Sequence, residues 1–297
     1  SSVQLAPNTS FKDFTLDSVL GSGGFGKVYL VKHKATKRMF AMKTLSKQYM
    51  GTFGKSSLKM ELQILKMVTA ENQHFLTGLS AYFQTKNHMC LVMDYASQGS
   101  LLEHLIPGPF SLKATMFYTA CIVLGLQFLH NKDIAHSDLK PGNVLLDASG
   151  YAKLADFGLS DDPIIGQNFL STLVSAYKHG CLSHSVTLRL TEARAQDWRD
   201  VGVLIYQMLV KDVSKTYYLG ISRQPSIEEF PDSFTPETCE ILKGLFNTRT
   251  TMRLGASRSG AEEVKRSSFF MNLDWEALSR KEVKPPKNDR VHRYGYL

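Results

Sequence analysis

The sequence predicts an α+β fold in two lobes, a strand-rich N-terminal lobe followed by a helical C-terminal lobe. Three observations carry that prediction. Up to about residue 93 most apolar stretches are short and flanked by glycine or polar residues, as strands require; one helical stretch interrupts them; and beyond Ser97 apolar residues recur at helical spacing. At 297 residues the chain is long enough for two lobes, or for one large domain with a substantial core.

Taken in order, residues 14–20, 28–32 and 38–45 read as strands, the first two separated by glycines. Residues 56–69 carry Leu58, Leu62, Leu65 and Val68 near a helical period, with Ser56 and Ser57 available as caps. Two further strands are expected at 79–84 and 89–95. A long amphipathic helix over 112–130 should bury Phe117, Ile122, Leu124, Leu126 and Leu129, and a second buried helix should cover 198–209. The boundaries that follow are an extension at 1–10, a first lobe at 11–93, a junction at 94–97, a second lobe at 98–281 and a tail at 282–297, with Lys284-Pro285-Pro286 leaving the body as an extended segment.

Composition narrows the function classes. Hydrophobic residues make up 43% and charged residues 21%, ordinary for a globular protein. No apolar run approaches the roughly 20 residues that span a bilayer, and the first ten residues lack the layout of a secretory signal, so a cytoplasmic or nuclear protein is expected. Cys90, Cys121, Cys181 and Cys239 lie far apart with no paired spacing, which argues for reduced thiols and against zinc. The balance of 35 basic to 27 acidic residues gives +8, spread along the chain; residues 32–38 and 280–287 are the densest basic stretches, and neither is interleaved with aromatics as a nucleic-acid platform would be.

The chemistry is concentrated in two places. His136-Ser137-Asp138-Leu139-Lys140-Pro141-Gly142-Asn143, followed by Asp156-Phe157-Gly158, brings together an acid to receive a hydroxyl proton, a lysine to neutralise phosphate, and an amide and a carboxylate to hold Mg²⁺. Upstream, Gly21-Ser22-Gly23-Gly24-Phe25-Gly26-Lys27-Val28 lies between two strands, where it reads as a flexible hairpin able to cover phosphates; alone it also fits an ordinary glycine turn. Lys43 ends an apolar strand segment and needs a buried partner or an anion, which Glu61 on the helix can provide; alone it also fits an exposed strand lysine. Residues 91–96 would be the crossover, offering backbone groups to an adenine edge, with Met93 either lining the pocket or plain core.

In order and approximate spacing, these motifs resemble those of eukaryotic protein kinases over residues 11–286. The stretches 117–130 and 261–270 are similar to the AGC group, nearest to the protein kinase C-related kinases. The resemblance implies ATP and Mg²⁺ as cofactors, Asp138, Lys140, Lys43 and Glu61 as the catalytic set, and Asn143 and Asp156 as metal ligands. It implies nucleotide contacts at Leu20, Gly21, Ser22, Gly23, Gly24, Phe25, Gly26, Lys27, Val28, Ala41, Lys43, Met93, Asp94, Ala96 and Leu145. His136, Phe157, Leu65 and Leu79 would form an apolar column anchored by Asp197.

The same resemblance marks departures. Ser137 stands where many relatives carry an arginine that binds a phosphorylated loop, so Thr172 lacks that counter-charge. Residues 174–183 match neither Gly-Thr-Pro nor Ala-Pro-Glu, which leaves Arg253 unpaired or repartnered, and 211–215 replaces a usual Pro-Phe turn. Gly142 and Ser100 occupy two places where carboxylates help bind basic substrates. A protein serine/threonine kinase with atypical substrate docking is the expected function, acting on a protein substrate or regulatory partner. A nucleotide-binding pseudokinase scaffold is the alternative.

Overall fold

A computed structural model describes residues 3–23, 26–157, 184–210, 226, 228, 230–257 and 260–286. The chain divides into two compact units, one of residues up to Ser97 together with Ala155, Asp156 and Phe157, the other of Gln98 to Leu154 and the described residues from His184 onward.

The first unit is a five-stranded antiparallel sheet with one helix. Strands β1 (Phe14–Gly23), β2 (Gly26–His33), β3 (Met39–Ser46), β4 (Leu79–Gln84) and β5 (His88–Asp94) lie in the order β1-β2-β3-β5-β4, and helix α1 (Thr52–Ala70) packs on β4. Alternation along β3 decides which face does what. Phe40 and Met42 join Phe14, Val31, Cys90 and Val92 in a buried cluster on one face, so Ala41 and Lys43 point to the other. Gly26 is required by packing, because a Cβ there would meet the Thr44 carbonyl oxygen at 1.8 Å.

Helix α1 begins earlier than its serines suggest. Gly51 is the N-cap and provides no side-chain bond, while Ser56 and Ser57 lie inside the helix. Ser57 is buried within the helix, so neither serine acts as its N-cap. Its inward face carries Leu58, Glu61, Ile64, Leu65 and Val68.

In the second unit, α2 (Leu101–Leu105), α3 (Leu112–His130), the hairpin β6 (Val144–Leu146) and β7 (Ala152–Leu154), α4 (His184–Leu209), α5 (Pro236–Leu245), α6 (Ala261–Lys265) and α7 (Trp275–Ser279) surround one core. Ser111 caps α3 through its hydroxyl, which accepts from the Ala114 amide. Contrary to the reading from composition, α3 is long and apolar enough to cross a membrane, but most of it is buried against other parts of this unit, including Phe117, Ile122, Leu124, Leu126 and Leu129. Each such side chain contributes about 1.5–3 kcal/mol on burial.

Helix α4 starts at His184, fourteen positions before the expected Trp198. No glycine or proline interrupts residues 184–201, and Leu188, Leu190, Glu192, Ala193, Arg194, Ala195 and Gln196 are good helix formers, so the chain runs as one 26-residue helix. Gly255, at φ +88°, lets a loop lie on Trp198, whose ring is 2.7 Å from where a Cβ would stand. Lys284-Pro285-Pro286 also differs from expectation, because it stays against the body. Tyr151 donates to the Val283 carbonyl, Lys281 lies 4.6 Å above the Tyr151 ring, and Pro285 lies close against Gly150.

Candidate active site

Each unit holds part of the expected catalytic set. In the first, the central position of β3 in the sheet and the inward face of α1 bring Lys43 and Glu61 together. Lys43 Nζ donates to Glu61 Oε1 at 2.8 Å and Oε2 at 3.0 Å, and to Asp156 Oδ1 at 2.8 Å. Burial works against the ammonium, but the carboxylates of Glu61 and Asp156 outweigh it and hold its pKa above the ordinary lysine value. Burial raises Glu61, against the pull of Lys43. Asp156 sits at φ +65°, in the left-handed region that non-glycine residues rarely adopt, and its side chain is 31% exposed. Its carboxylate is therefore the open end of a triad whose other two members are enclosed.

Of the expected nucleotide positions in this unit, Leu20, Gly21, Ser22, Gly23, Gly26, Lys27 and Val28 lie on β1 and β2. These two strands pair as far as Gly23 opposite Gly26. Gly24 and Phe25 lie outside the described residues. Ala41 shares the Lys43 face of β3 and pairs with Met93 on β5. Asp94 closes β5, with its amide on the Gly78 carbonyl at 3.4 Å, and Ala96 follows in the connecting segment. Leu65, Leu79 and Phe157 are buried in this unit, and His136 is buried in the other.

In the second unit, one buried carboxylate organises the catalytic loop. Asp197, fully enclosed on α4, accepts the His136 amide (2.8 Å) and His130 Nε2 (2.7 Å) on Oδ2, and the Ser137 amide (2.8 Å) on Oδ1. Ser137 takes φ +62°, a conformation those two amide bonds help hold. The turn presents Asp138, whose Oδ2 accepts from Lys140 Nζ and Asn143 Nδ2, each at 2.8 Å. Asn143 Nδ2 also donates to the Asp138 carbonyl at 2.8 Å, which leaves the amide oxygen as its acceptor for a cation. Leu145 lies on β6 directly after this loop, opposite Lys153.

Lys43, Glu61 and Asp156 thus form one cluster, and Asp138, Lys140 and Asn143 form another. His130 was not singled out from sequence. A titratable side chain closing the mostly apolar α3 was the available signal, since such a group needs a partner when buried. The donors fit a divalent metal and a nucleotide. Asp156 and Asn143 offer oxygen, which suits Mg²⁺, and Lys43 supplies a fixed ammonium suited to phosphate.

On the substrate side, Ser100 caps α2 in a reciprocal box with Glu103, and Gly142 faces open space. Arg253 is repartnered. NH1 donates to the Ala195 carbonyl at 2.8 Å and Nε to the Asn247 carbonyl at 3.2 Å. Thr172, residues 174–183 and residues 211–215 lie outside the described residues.

A family model described as protein kinase domain matches residues 14–270. The chain belongs to the protein kinase family. This kinase domain is 39% identical over 285 residues to serine/threonine-protein kinase N2 of Danio rerio, covering 93% of this chain and 29% of that protein. It is 37% identical over 283 residues to serine/threonine-protein kinase N3 of Mus musculus, covering 93% and 32%. Against protein kinase C of Aspergillus fumigatus the identity is 33% over 281 residues, covering 92% and 25%. The kinase domain spans under a third of the length of these relatives. Their likeness agrees with an AGC-type, protein kinase C-related domain.

Proposed function

We propose that this kinase domain transfers the terminal phosphate of ATP to a serine or threonine hydroxyl of a protein. The observation that carries the reading is Lys43, held by Glu61 and Asp156 at 2.8 Å each. An ammonium so fixed is preorganised for phosphate and needs no rearrangement to acquire its charge. The names of the relatives, all serine/threonine or protein kinase C-type kinases, support catalysis over a scaffold role.

Bound Mg²⁺ would supply charge neutralisation, with Asp156 and Asn143 as its protein ligands. Asp138 orients the substrate hydroxyl and takes its proton as that oxygen bonds to the terminal phosphorus and the bridging P–O bond opens. Lys140, exposed beside Asp138, meets the charge on the transferring group. Glycine-rich β1–β2, Ala41 and the Met93–Ala96 segment provide the nucleotide contacts of the first unit, and Leu145 that of the second. With no carboxylate at Gly142 or Ser100, we assign the substrate less dependence on arginine than basic-directed relatives show. We place the domain in the cytoplasm or nucleus, where Cys90, Cys121 and Cys239 would remain the free thiols seen here.

The test measures thermal stabilisation by ATP with Mg²⁺ and phosphate transfer to mixed protein substrates. Asp138→Asn should keep the stabilisation and lower transfer about 10²–10⁴-fold, and Lys43→Met should weaken both. Stabilisation of the parent chain without any transfer would overturn the catalytic reading and leave the scaffold.

A further inference from the structure

Charged residues are dispersed along the chain, but the excess of basic over acidic ones is concentrated toward its start. The first 97 residues hold twelve lysines and arginines against five aspartates and glutamates, so this segment carries +7 of the chain's +8. Before Glu61, the only acids are Asp13 and Asp17. The fold gathers five of these cations at one corner of the sheet. Lys32 is exposed at the end of β2, and Lys34, Lys37 and Arg38 are exposed on the turn into β3. Lys12 joins them from the segment before β1, because Lys34 Nζ donates to the Lys12 carbonyl at 2.6 Å and the Lys34 amide to the Asp13 carbonyl at 2.8 Å.

The turn is built, not merely charged. The His33 amide donates to the Arg38 carbonyl and the Lys37 amide to the His33 carbonyl, both at 2.8 Å. His33 Nδ1 lies 2.9 Å from Thr36 Oγ1, and the Phe14 and Phe40 rings pack around the imidazole. Lys37 holds φ +59°, a left-handed position that a lysine occupies only at some cost. Asp13, the acid of this corner, accepts from the Ser10 amide and hydroxyl at 2.7 and 3.1 Å. It remains ionised, held below the ordinary aspartate value chiefly by those bonds, and offsets one of the five cations.

Exposure narrows the partner. Residues 34–38 are all exposed, so these cations stand on an open turn and are not enclosed in a pocket. Four of the five cations are lysines, point charges suited to a diffuse anionic surface instead of the paired geometry of one bound phosphate. An exposed apolar group accompanies them, Phe11 at 39% exposure next to Lys12. Exposed cations with an apolar side chain among them suit the interface of an anionic bilayer.

We propose that the β2–β3 tip, with Lys12 and Phe11, docks the kinase domain on membranes carrying anionic phospholipid. Attraction to such a surface is worth about five-fold in affinity per cation and is screened by salt. The experiment is co-sedimentation of the whole chain with phosphatidylcholine vesicles, with and without phosphatidylserine, over a range of salt. Binding should require phosphatidylserine and fall as salt rises. Lys34→Ala/Lys37→Ala/Arg38→Ala should weaken it by roughly 100-fold while leaving the melting temperature and phosphate transfer unchanged. Lys55→Ala/Lys59→Ala/Lys66→Ala, on the exposed face of α1, should weaken it far less. Absence of phosphatidylserine-dependent binding, an unchanged tip variant, equal loss from the α1 variant, or tighter binding to duplex DNA at the same salt would each overturn the proposal.

Discussion

Two buried cations, one in each unit, are held in opposite ways. Lys43 lies between two carboxylates, whereas Arg253, among the described residues, donates to two neutral backbone carbonyls. Burial and the neighbouring Arg199 push Arg253 below the ordinary arginine value, and Asp200 partly opposes them. An ammonium fixed by acids keeps a positive charge in place for chemistry. A guanidinium on carbonyls instead ties the Asn247 loop to the middle of α4. The charge-handling side of the domain is therefore closed around its cation, and the substrate side uses its cation as a structural clamp.

Breaking the first arrangement should have the larger effect. Glu61→Gln leaves Lys43 with Asp156 as its one carboxylate partner and should cost about 3 kcal/mol of stability, with phosphate transfer largely lost. Denaturant unfolding and phosphate incorporation measure the two. Full transfer by this variant would show that Asp156 alone positions the lysine.

Arg253→Met tests the clamp. Two hydrogen bonds from a charged donor disappear, so a loss of about 2 kcal/mol is expected, with stabilisation by ATP unchanged because Arg253 touches none of the nucleotide residues. Arg253→Lys should restore little, since an ammonium cannot span the two carbonyls as the planar fork does. If transfer fell far more than stability, Arg253 would be acting as the counter-charge of an acid after all.

Much of this division was legible in the sequence, and the exceptions have physical causes. Helix α3 begins and ends where its pattern predicts, because Ser111 caps it and apolar spacing persists to Leu129. Lys43 and Glu61 were readable as a pair because a lysine inside an apolar strand requires an acid. The start of α4 was not readable. The expectation placed it at Trp198, because residues 184–197 interleave their few apolar residues with polar and charged ones. The partners of Arg253 were also hidden, since backbone carbonyls leave no trace in side-chain identity. His130 closes a helix read for its apolar spacing, and only the fold shows it on Asp197.

Asp200 sharpens the clamp through pH. Its carboxylate accepts from Gln196 Nε2 at 2.9 Å and Arg199 NH1 at 3.1 Å, yet burial, reinforced by Asp197, raises its pKa from 3.8 to about 7. A folded-state value above the unfolded one means that the protonated form favours folding. That contribution is complete below about pH 4 and is lost as the pH rises through about 7. Asp200→Asn, which stays neutral, should gain on the parent by on the order of 1 kcal/mol at pH 8 relative to pH 5, after allowing for the weakened Arg199 bond. Thermal unfolding at both values tests this; an equal difference at the two would place the titration elsewhere.

The smallest effect is expected where the substrate side has the most room. A side chain at Gly142 would meet nothing within 4 Å, so Gly142→Glu adds a carboxylate beside the catalytic loop without displacing a neighbour. Ser100→Glu would remove the hydroxyl that caps α2, at about 1 kcal/mol, which makes Gly142 the cleaner position. An exposed ion pair is worth 1 kcal/mol or less, so kcat/KM for an arginine-containing peptide should rise about 2–5-fold over an arginine-free control. ATP stabilisation should not change. A rise for both peptides alike would mean that the glutamate alters the loop and not the docking of charge. A rise for the arginine peptide alone would show that the substrate side still reads basic residues once a carboxylate is supplied, and that its departure from its relatives is one of side chains, with the backbone that presents them intact.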